Sequence, residues 1–102
     1  MTLATVSQDK IPWVCTVYYG IDEEMNLYFV TSPNTIHAKN INKNNKVAFN
    51  IFDSHQKIVN SKIGLQGKGL CKITEDETEN KKALLLWHQQ NPGIENAITI
   101  DN

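Results

Sequence analysis

The stretch Lys62-Ile63-Gly64-Leu65-Gln66-Gly67-Lys68-Gly69-Leu70-Cys71-Lys72-Ile73-Thr74 decides how the rest of the chain is read. Ile63, Leu65, Gly67, Gly69, Cys71 and Ile73 fall on one face and Lys62, Gln66, Lys68 and Lys72 on the other, the two-residue period of a strand with one apolar side. Three glycines inside it, Gly64, Gly67 and Gly69, predict a bend or bulge of the kind found at a barrel corner. On its N-terminal side, Lys46 to Asp53 is a second strand candidate, joined to it by a polar loop over Ser54 to Asn60. Before that, the period lengthens. Thr35 to Asn42 fits a short helix capped by Ser32 or Asn34, with Ile36 and Ile41 turned inward and Lys39 outward.

Leu27 to Thr31 reads as a strand stopped by Ser32-Pro33-Asn34, and Asp22 to Asn26 as a solvated turn. From Pro12 to Ile21 the β-branched, aromatic and small apolar residues predict one strand buried on both faces. Gln8-Asp9-Lys10 predicts a hairpin turn back to a first strand over Met1 to Ser7. On the C-terminal side, Thr74-Glu75-Asp76-Glu77 is a capping box whose acids suit a helix N-terminus. The helix after it runs to Gln90 with Asn80, Ala83, Leu84 and Trp87 on one stripe, and Asn91-Pro92-Gly93 ends it. Ala97 to Ile100 could add a short last strand. The predicted class is α+β, mainly β, a small antiparallel barrel with two short helices packed on it.

At 102 residues, 40% apolar and 21% charged, the chain fits a single domain, 1–102. A chain of this size buries only about 60 to 65% of its unfolded surface, so a partner subunit would add needed stability. All ten basic residues are lysine, against eleven acidic ones, for a net charge of -1. That balance, with no arginine fork for phosphates or guanines, argues against nucleic acid as a partner. No apolar run approaches the ~20 residues of a membrane span, and no signal-peptide order opens the chain, so a cytoplasmic setting without membrane contact is expected. Cys15 and Cys71 make neither a disulfide scaffold nor a zinc site, and no metal is expected.

Taken in order, Leu3-Ala4-Thr5-Val6, Pro12 opening a strand, Leu27-Tyr28-Phe29-Val30-Thr31, a short lysine-bearing helix, Val47-Ala48-Phe49-Asn50-Ile51 and Gln66-Gly67-Lys68-Gly69 resemble the pyridoxamine 5'-phosphate oxidase-like, FMN-binding split-barrel proteins. The resemblance covers nearly the whole chain and implies an antiparallel split β-barrel of Greek-key type. It also implies a homodimer with a flavin mononucleotide groove built from both chains. It points to a member shortened at both ends. The oxidases offer Ser-Arg-Lys to the flavin phosphate after the third strand, where this chain reads Thr35-Ile36-His37 with Lys39 two places on. They also carry basic residues on the second strand where this chain has Cys15 and Gly20. These departures separate it from vitamin B6 oxidation.

A flavin phosphate needs N–H donors, hydroxyls and a cation together, and a helix N-terminus supplies part of that set. Ser32, Asn34 and Thr35 are either caps for the helix itself or donors to the phosphate, and the resemblance favours the second reading, with Thr31 at the strand end, Lys39 as the cation and His37 as an added donor. The resemblance places Thr16, Val17 and Tyr18 under the isoalloxazine ring, where main-chain groups make the polar contacts. It also has Lys62 reach the flavin from the other subunit. Read alone, these four are a core strand and a solvated lysine. The expected function is an FMN-dependent oxidoreductase acting on a small molecule that the sequence does not identify. The alternative is a non-catalytic, stress-related dimeric module without redox turnover.

Overall fold

A computed structural model describes residues 1–93 of the chain. Its elements run β1 (Thr2–Val6), β2 (Pro12–Thr16), β3 (Gly20–Ile21), β4 (Leu27–Tyr28), α1 (Ile36–Lys43), β5 (Lys46–Phe52), β6 (Gly64–Leu70) and α2 (Glu77–Gln90). The expected α+β, mainly β class holds, with two antiparallel sheets and two helices. The strand expected over Ala97 to Ile100 lies outside the described residues.

The larger sheet has the order β2-β1-β5-β6, every pair antiparallel. Opposed residues share a face, so the register fixes two surfaces. Leu3 lies between Cys15 and Phe49, and Phe49 faces Gly67. α1 covers this side: Ala38 and Ile41 are buried with Leu3, and the buried Asn40 Nδ2 donates to Thr5 Oγ1 at 3.0 Å. A Cβ on Gly67 would stand 2.4 Å from Phe49 Cζ, so glycine is what lets the ring lie against β6.

Among the described residues, no helix lies on the opposite side of the sheet. It presents the row Thr16, Thr2, Asn50, Gln66 and beside it the row Val14, Ala4, Ala48, with Lys68 next in register. Phe52 and Leu70 are exposed at its two ends.

The chain departs from expectation at Pro12 to Ile21. β2 stops at Thr16, and its Trp13 and Val14 are exposed rather than buried on both faces. The backbone then leaves the sheet, and Gly20–Ile21 pair with Leu27–Tyr28 in a separate two-stranded ladder. Phe29 to Thr31, expected to extend that strand, lie outside it.

α2 replaces the missing sheet neighbour. Gln90 Nε2 donates to Ile21 O at 2.8 Å while its Oε1 accepts from Ile21 N at 2.7 Å. Asn91 Nδ2 donates to Tyr19 O at 2.8 Å and the buried Trp87 donates Nε1–H to Tyr18 O at 2.9 Å.

Both hairpin turns use the same device. Ser7 to Ile11 and Asp22 to Asn26 each close with an i to i+3 bond whose N–H donor is itself the left-handed residue, Lys10 (φ 63°) and Met25 (φ 69°).

Candidate functional site

The segment from Thr31 to Lys39 gathers most of the predicted phosphate ligands. Thr35, not Ser32 or Asn34, is the N-cap of α1: its backbone is extended (φ -73°, ψ 156°) and its Oγ1 accepts from Ala38 N at 3.2 Å. Pro33 and Asn34 hold the turn before it, where Ser32 Oγ accepts from Asn34 N at 3.3 Å and Ser32 O accepts from Thr35 Oγ1 at 2.9 Å. The helix phase that follows buries Ile41 but leaves Ile36 half exposed, against the inward placement expected for both.

His37 points back over this turn. Its Nε2 lies 2.6 Å from Thr31 Oγ1 and 3.3 Å from Thr35 Oγ1, and the two hydroxyls are 3.3 Å apart. Burial pushes the imidazole below its ordinary value, so it is neutral at pH 7. A neutral ring can accept from the Thr31 hydroxyl or donate to it, and the Phe29 ring, centred 6.4 Å away, closes one side. The result is a small cluster of hydroxyls and imidazole beside the first turn of α1.

That first turn keeps part of its donor capacity. The first intrahelical bond is Lys39 N to Thr35 O, and the cap takes Ala38 N, so the N–H groups of Ile36 and His37 have no acceptor in the helix. Lys39 is exposed, and among the described residues no carboxylate lies within ion-pair distance of it. The Thr35 hydroxyl is spent on Ser32 O and Ala38 N, so two N–H groups, the Thr31 hydroxyl and one ammonium are what this turn offers a phosphate dianion.

The other predicted residues stand elsewhere. The main chain of Val17 is engaged on both sides, with N donating to Met1 O at 2.9 Å and O accepting from Met1 N at 3.0 Å. Tyr18 O is taken by Trp87, while the Tyr18 side chain is exposed. Because Met1 and Val17 exchange both bonds, the ladder's alternation turns the N–H and C=O of Thr16 and Val14 to the open edge of β2. Thr16 is therefore the one of the three predicted strand residues whose backbone donor and acceptor both face outward. Gln66 on β6 stands three strand spacings, about 14 Å, across the sheet from Thr16, and Lys62, which precedes β6 four residues before Gln66, is farther still from Thr16. Its Nζ donates to Lys57 O at 2.5 Å and to Asn60 O at 2.9 Å. The structure thus assembles Thr31 to Lys39 within one chain and leaves Lys62 apart from them.

Asn50, Gln66 and Thr2 stand out only once the register is known. They complete a row with Thr16 across four strands on the sheet face opposite α1, and none of these four side chains hydrogen-bonds to another of the described residues. A shallow groove of about 290 Å³ lies along Thr2, Ala4, Ala48 and Asn50, and a wider one of about 590 Å³ continues past Phe52 to Lys62; Asn50 and Gln66 line both. Nothing in the separate strand sequences signals this row, because pairing decides which residues meet. Among the described residues, no three His, Cys, Asp or Glu side chains are placed to hold a metal ion, and no helix is long and apolar enough to cross a membrane.

Comparison with curated proteins gives no match. Among solved structures, the chain is similar to the crystal structure of a conserved hypothetical protein from Mycobacterium tuberculosis, with a TM-score of 0.77 and 20% sequence identity. The match covers 90% of this chain and spans 56% of the other, a likeness of fold. The family model described as pyridoxamine 5'-phosphate oxidase matches residues 1–98. With nearly the whole length matched, the chain belongs to the pyridoxamine 5'-phosphate oxidase family.

Proposed function

We propose that the chain is a split-barrel homodimer that binds flavin mononucleotide and serves as an oxidoreductase for a small molecule in the cytoplasm. The observation that carries this reading is the start of α1, where the Ile36 and His37 N–H groups have no acceptor in the helix, the Thr31 hydroxyl lies beside the cap, and the exposed Lys39 has no carboxylate within ion-pair distance among the described residues. Family membership supports it, since members typically bind a flavin.

In this reading Lys39 supplies the charge and the Ile36 and His37 N–H groups orient the phosphate oxygens. Ser32 and Asn34 fix the turn that aims them. Neutral His37 holds the Thr31 hydroxyl in place. The outward N–H and C=O of Thr16 would meet the polar edge of the ring. Lys62, too far from Thr16 to share a ligand within one chain, would act on the groove of the partner subunit. The flavin itself supplies hydride acceptance, so the chain's task is to bind, orient and exclude water.

Titration of the purified protein with FMN tests the reading: quenched flavin fluorescence is expected. Lys39→Ala should weaken binding by about tenfold or more, from loss of a charge-assisted contact. A protein that leaves FMN fluorescence unchanged would refute it.

The row Thr16, Thr2, Asn50, Gln66 contains no titratable side chain. The absence of arginine, with Cys15 and Gly20 where the oxidases carry basic residues, supports a second reading, a stress-related dimeric module that binds ligand without turnover. FMN-dependent oxidation of reduced nicotinamide would exclude that second reading.

A further inference from the structure

β6 is the last strand of the four-stranded sheet, and one bond just past its end tells which of its main-chain groups are engaged. Cys71 N donates to Asn45 O at 2.8 Å, and these two residues oppose each other one step beyond Lys46 and Leu70. Bonded pairs alternate along an antiparallel ladder, so Leu65, Gly67 and Gly69 exchange their bonds with β5. Gly64, Gln66, Lys68 and Leu70 therefore turn their N–H and C=O groups to the outer edge, where none of the described residues pairs with them.

Sheet edges are commonly blunted by a proline or a bulge. This one has neither: its seven residues pair with β5 in unbroken register, and all but Gly67 are exposed. What the edge carries is charge. Between Met25 and Thr74 the chain has seven lysines and a single carboxylate, Asp53, whose Oδ1 accepts from His55 N at 2.9 Å. Lys46 and Lys68 lie on the same side of the sheet as Gln66, and among the described residues neither has a carboxylate within ion-pair distance. The other side of β6 is nearly bare. Gly67 and Gly69 carry no side chain, and a Cβ on Gly69 would meet nothing within 4 Å, so packing gives no reason for that glycine. A strand glycine without a packing reason is often the mark of close approach by another backbone.

These features select an occupant. An extended polypeptide offers acceptors for the outward N–H groups and donors for the outward C=O groups at the spacing of a strand. A phosphodiester or a lipid headgroup brings acceptors without that row of donors. Two copies of β6 laid edge to edge would set lysines beside lysines, which is repulsive, whereas an acidic strand turns the same charges into attraction.

We propose that the outer edge of β6 takes up, as an added strand, an extended peptide in which acidic residues alternate with apolar ones. The acids lie beside Lys46 and Lys68, and the apolar side chains lie over Gly67 and Gly69. Neither lysine belongs to the flavin reading, so the two are tested separately.

Fluorescence anisotropy with a labelled, capped peptide alternating glutamate and valine is the first test. Binding should weaken as salt rises. Lys46→Glu/Lys68→Glu changes two exposed side chains, so circular dichroism should remain that of the wild type while binding weakens by about tenfold or more. The same peptide N-methylated at every residue keeps its charge but loses its main-chain donors, and it should not bind. Hydrogen exchange reads the edge directly: the Gln66 and Lys68 amides should exchange freely in the protein alone and slow by about tenfold or more with the peptide. A peptide that does not bind, that binds the double variant as well as the wild type, or that binds as well when N-methylated overturns the inference. So do amides that the peptide leaves unchanged. Protection of those two amides before any peptide is added also overturns it, because the edge is then already occupied. Uptake of polyuridylate or of phosphatidylserine vesicles in place of the peptide does so as well.

Discussion

Replacing Thr5 by Val probes the contact that pins α1 to the sheet. Thr5 is fully buried, and its hydroxyl is the acceptor for Asn40 Nδ2 at 3.0 Å, across 35 residues of chain. Valine keeps the shape and removes the acceptor. The stranded amide donor should cost about 1–3 kcal/mol. The added methyl returns about 0.8 kcal/mol of apolar burial. The net expectation is a loss near 1 kcal/mol, or a melting temperature lower by about 4–8 °C for a domain of this size. Asn40→Leu should be more damaging, because it strands the Thr5 hydroxyl and forces a larger side chain under the helix. In the double variant Thr5→Val/Asn40→Leu both partners are apolar, so the two losses should fall short of additive by about 1 kcal/mol or more. Urea unfolding followed by circular dichroism, at one protein concentration so that association does not intrude, gives all four corners of the cycle. Strict additivity, or a Thr5→Val variant as stable as the wild type, would refute the assignment of this bond as what holds α1.

Other expectations follow from separate parts of the molecule. Burial lowers the pKa of His37 from its ordinary 6.5, so the unfolded chain takes up its proton first as pH falls. This contribution to stability should be intact above about pH 6.5 and lost as pH drops from there through the folded value. The difference in urea midpoint between wild type and His37→Asn, followed from pH 8 to 5, isolates it, and a flat difference contradicts it. A Cβ on Gly20 would stand 3.1 Å from Trp87 Cα and 3.2 Å from Trp87 N, backbone atoms that cannot swing aside. Gly20→Ala should therefore cost about 1–3 kcal/mol, whereas Gly69→Ala, with open space around its Cβ, should be neutral or stabilising by about 0.5 kcal/mol in thermal melts. Lys10→Gly should stabilise by up to about 1 kcal/mol, because it relieves a left-handed lysine at φ 63°.

Sequence reading went furthest where local rules suffice. Lys46 to Phe52 forms β5, the turns at Gln8 to Lys10 and Asp22 to Asn26 form where their residues predict, and both helices stand close to their predicted bounds. It went wrong where a distant partner decides. The apolar run after Pro12 reads as one buried strand, yet Tyr18 to Ile21 leave the sheet because Trp87, Gln90 and Asn91, some 70 positions away, offer their backbone better partners. Ser32, Asn34 and Thr35 all suit an N-cap by type, and only the placement of the turn around Pro33 selects Thr35. The candidate phosphate donors are contiguous and so were legible. Asn50 and Gln66 belong to strands whose meeting depends on register, and no pattern within either strand reveals it.

The bracket that Gln90 places on Ile21 gives the molecule a built-in reporter. Asp22 and Asn26 close their ladder pair, so Ile21 in the next position turns its N–H and C=O away from β4, and a side-chain amide takes both. The outer edge of β3 is thereby sealed by a helix without another strand. The hydrogen on Ile21 N is shielded only while α2 is docked, since its acceptor is Gln90 Oε1. Its exchange with solvent deuterium therefore times the undocking of that helix, whereas amides in the β5–β6 ladder time the opening of the sheet. If α2 lifts off as a unit, Ile21 will exchange faster than the ladder; if sheet and helix open together, the rates converge. A single backbone hydrogen thus measures whether this small domain unfolds in one step or two.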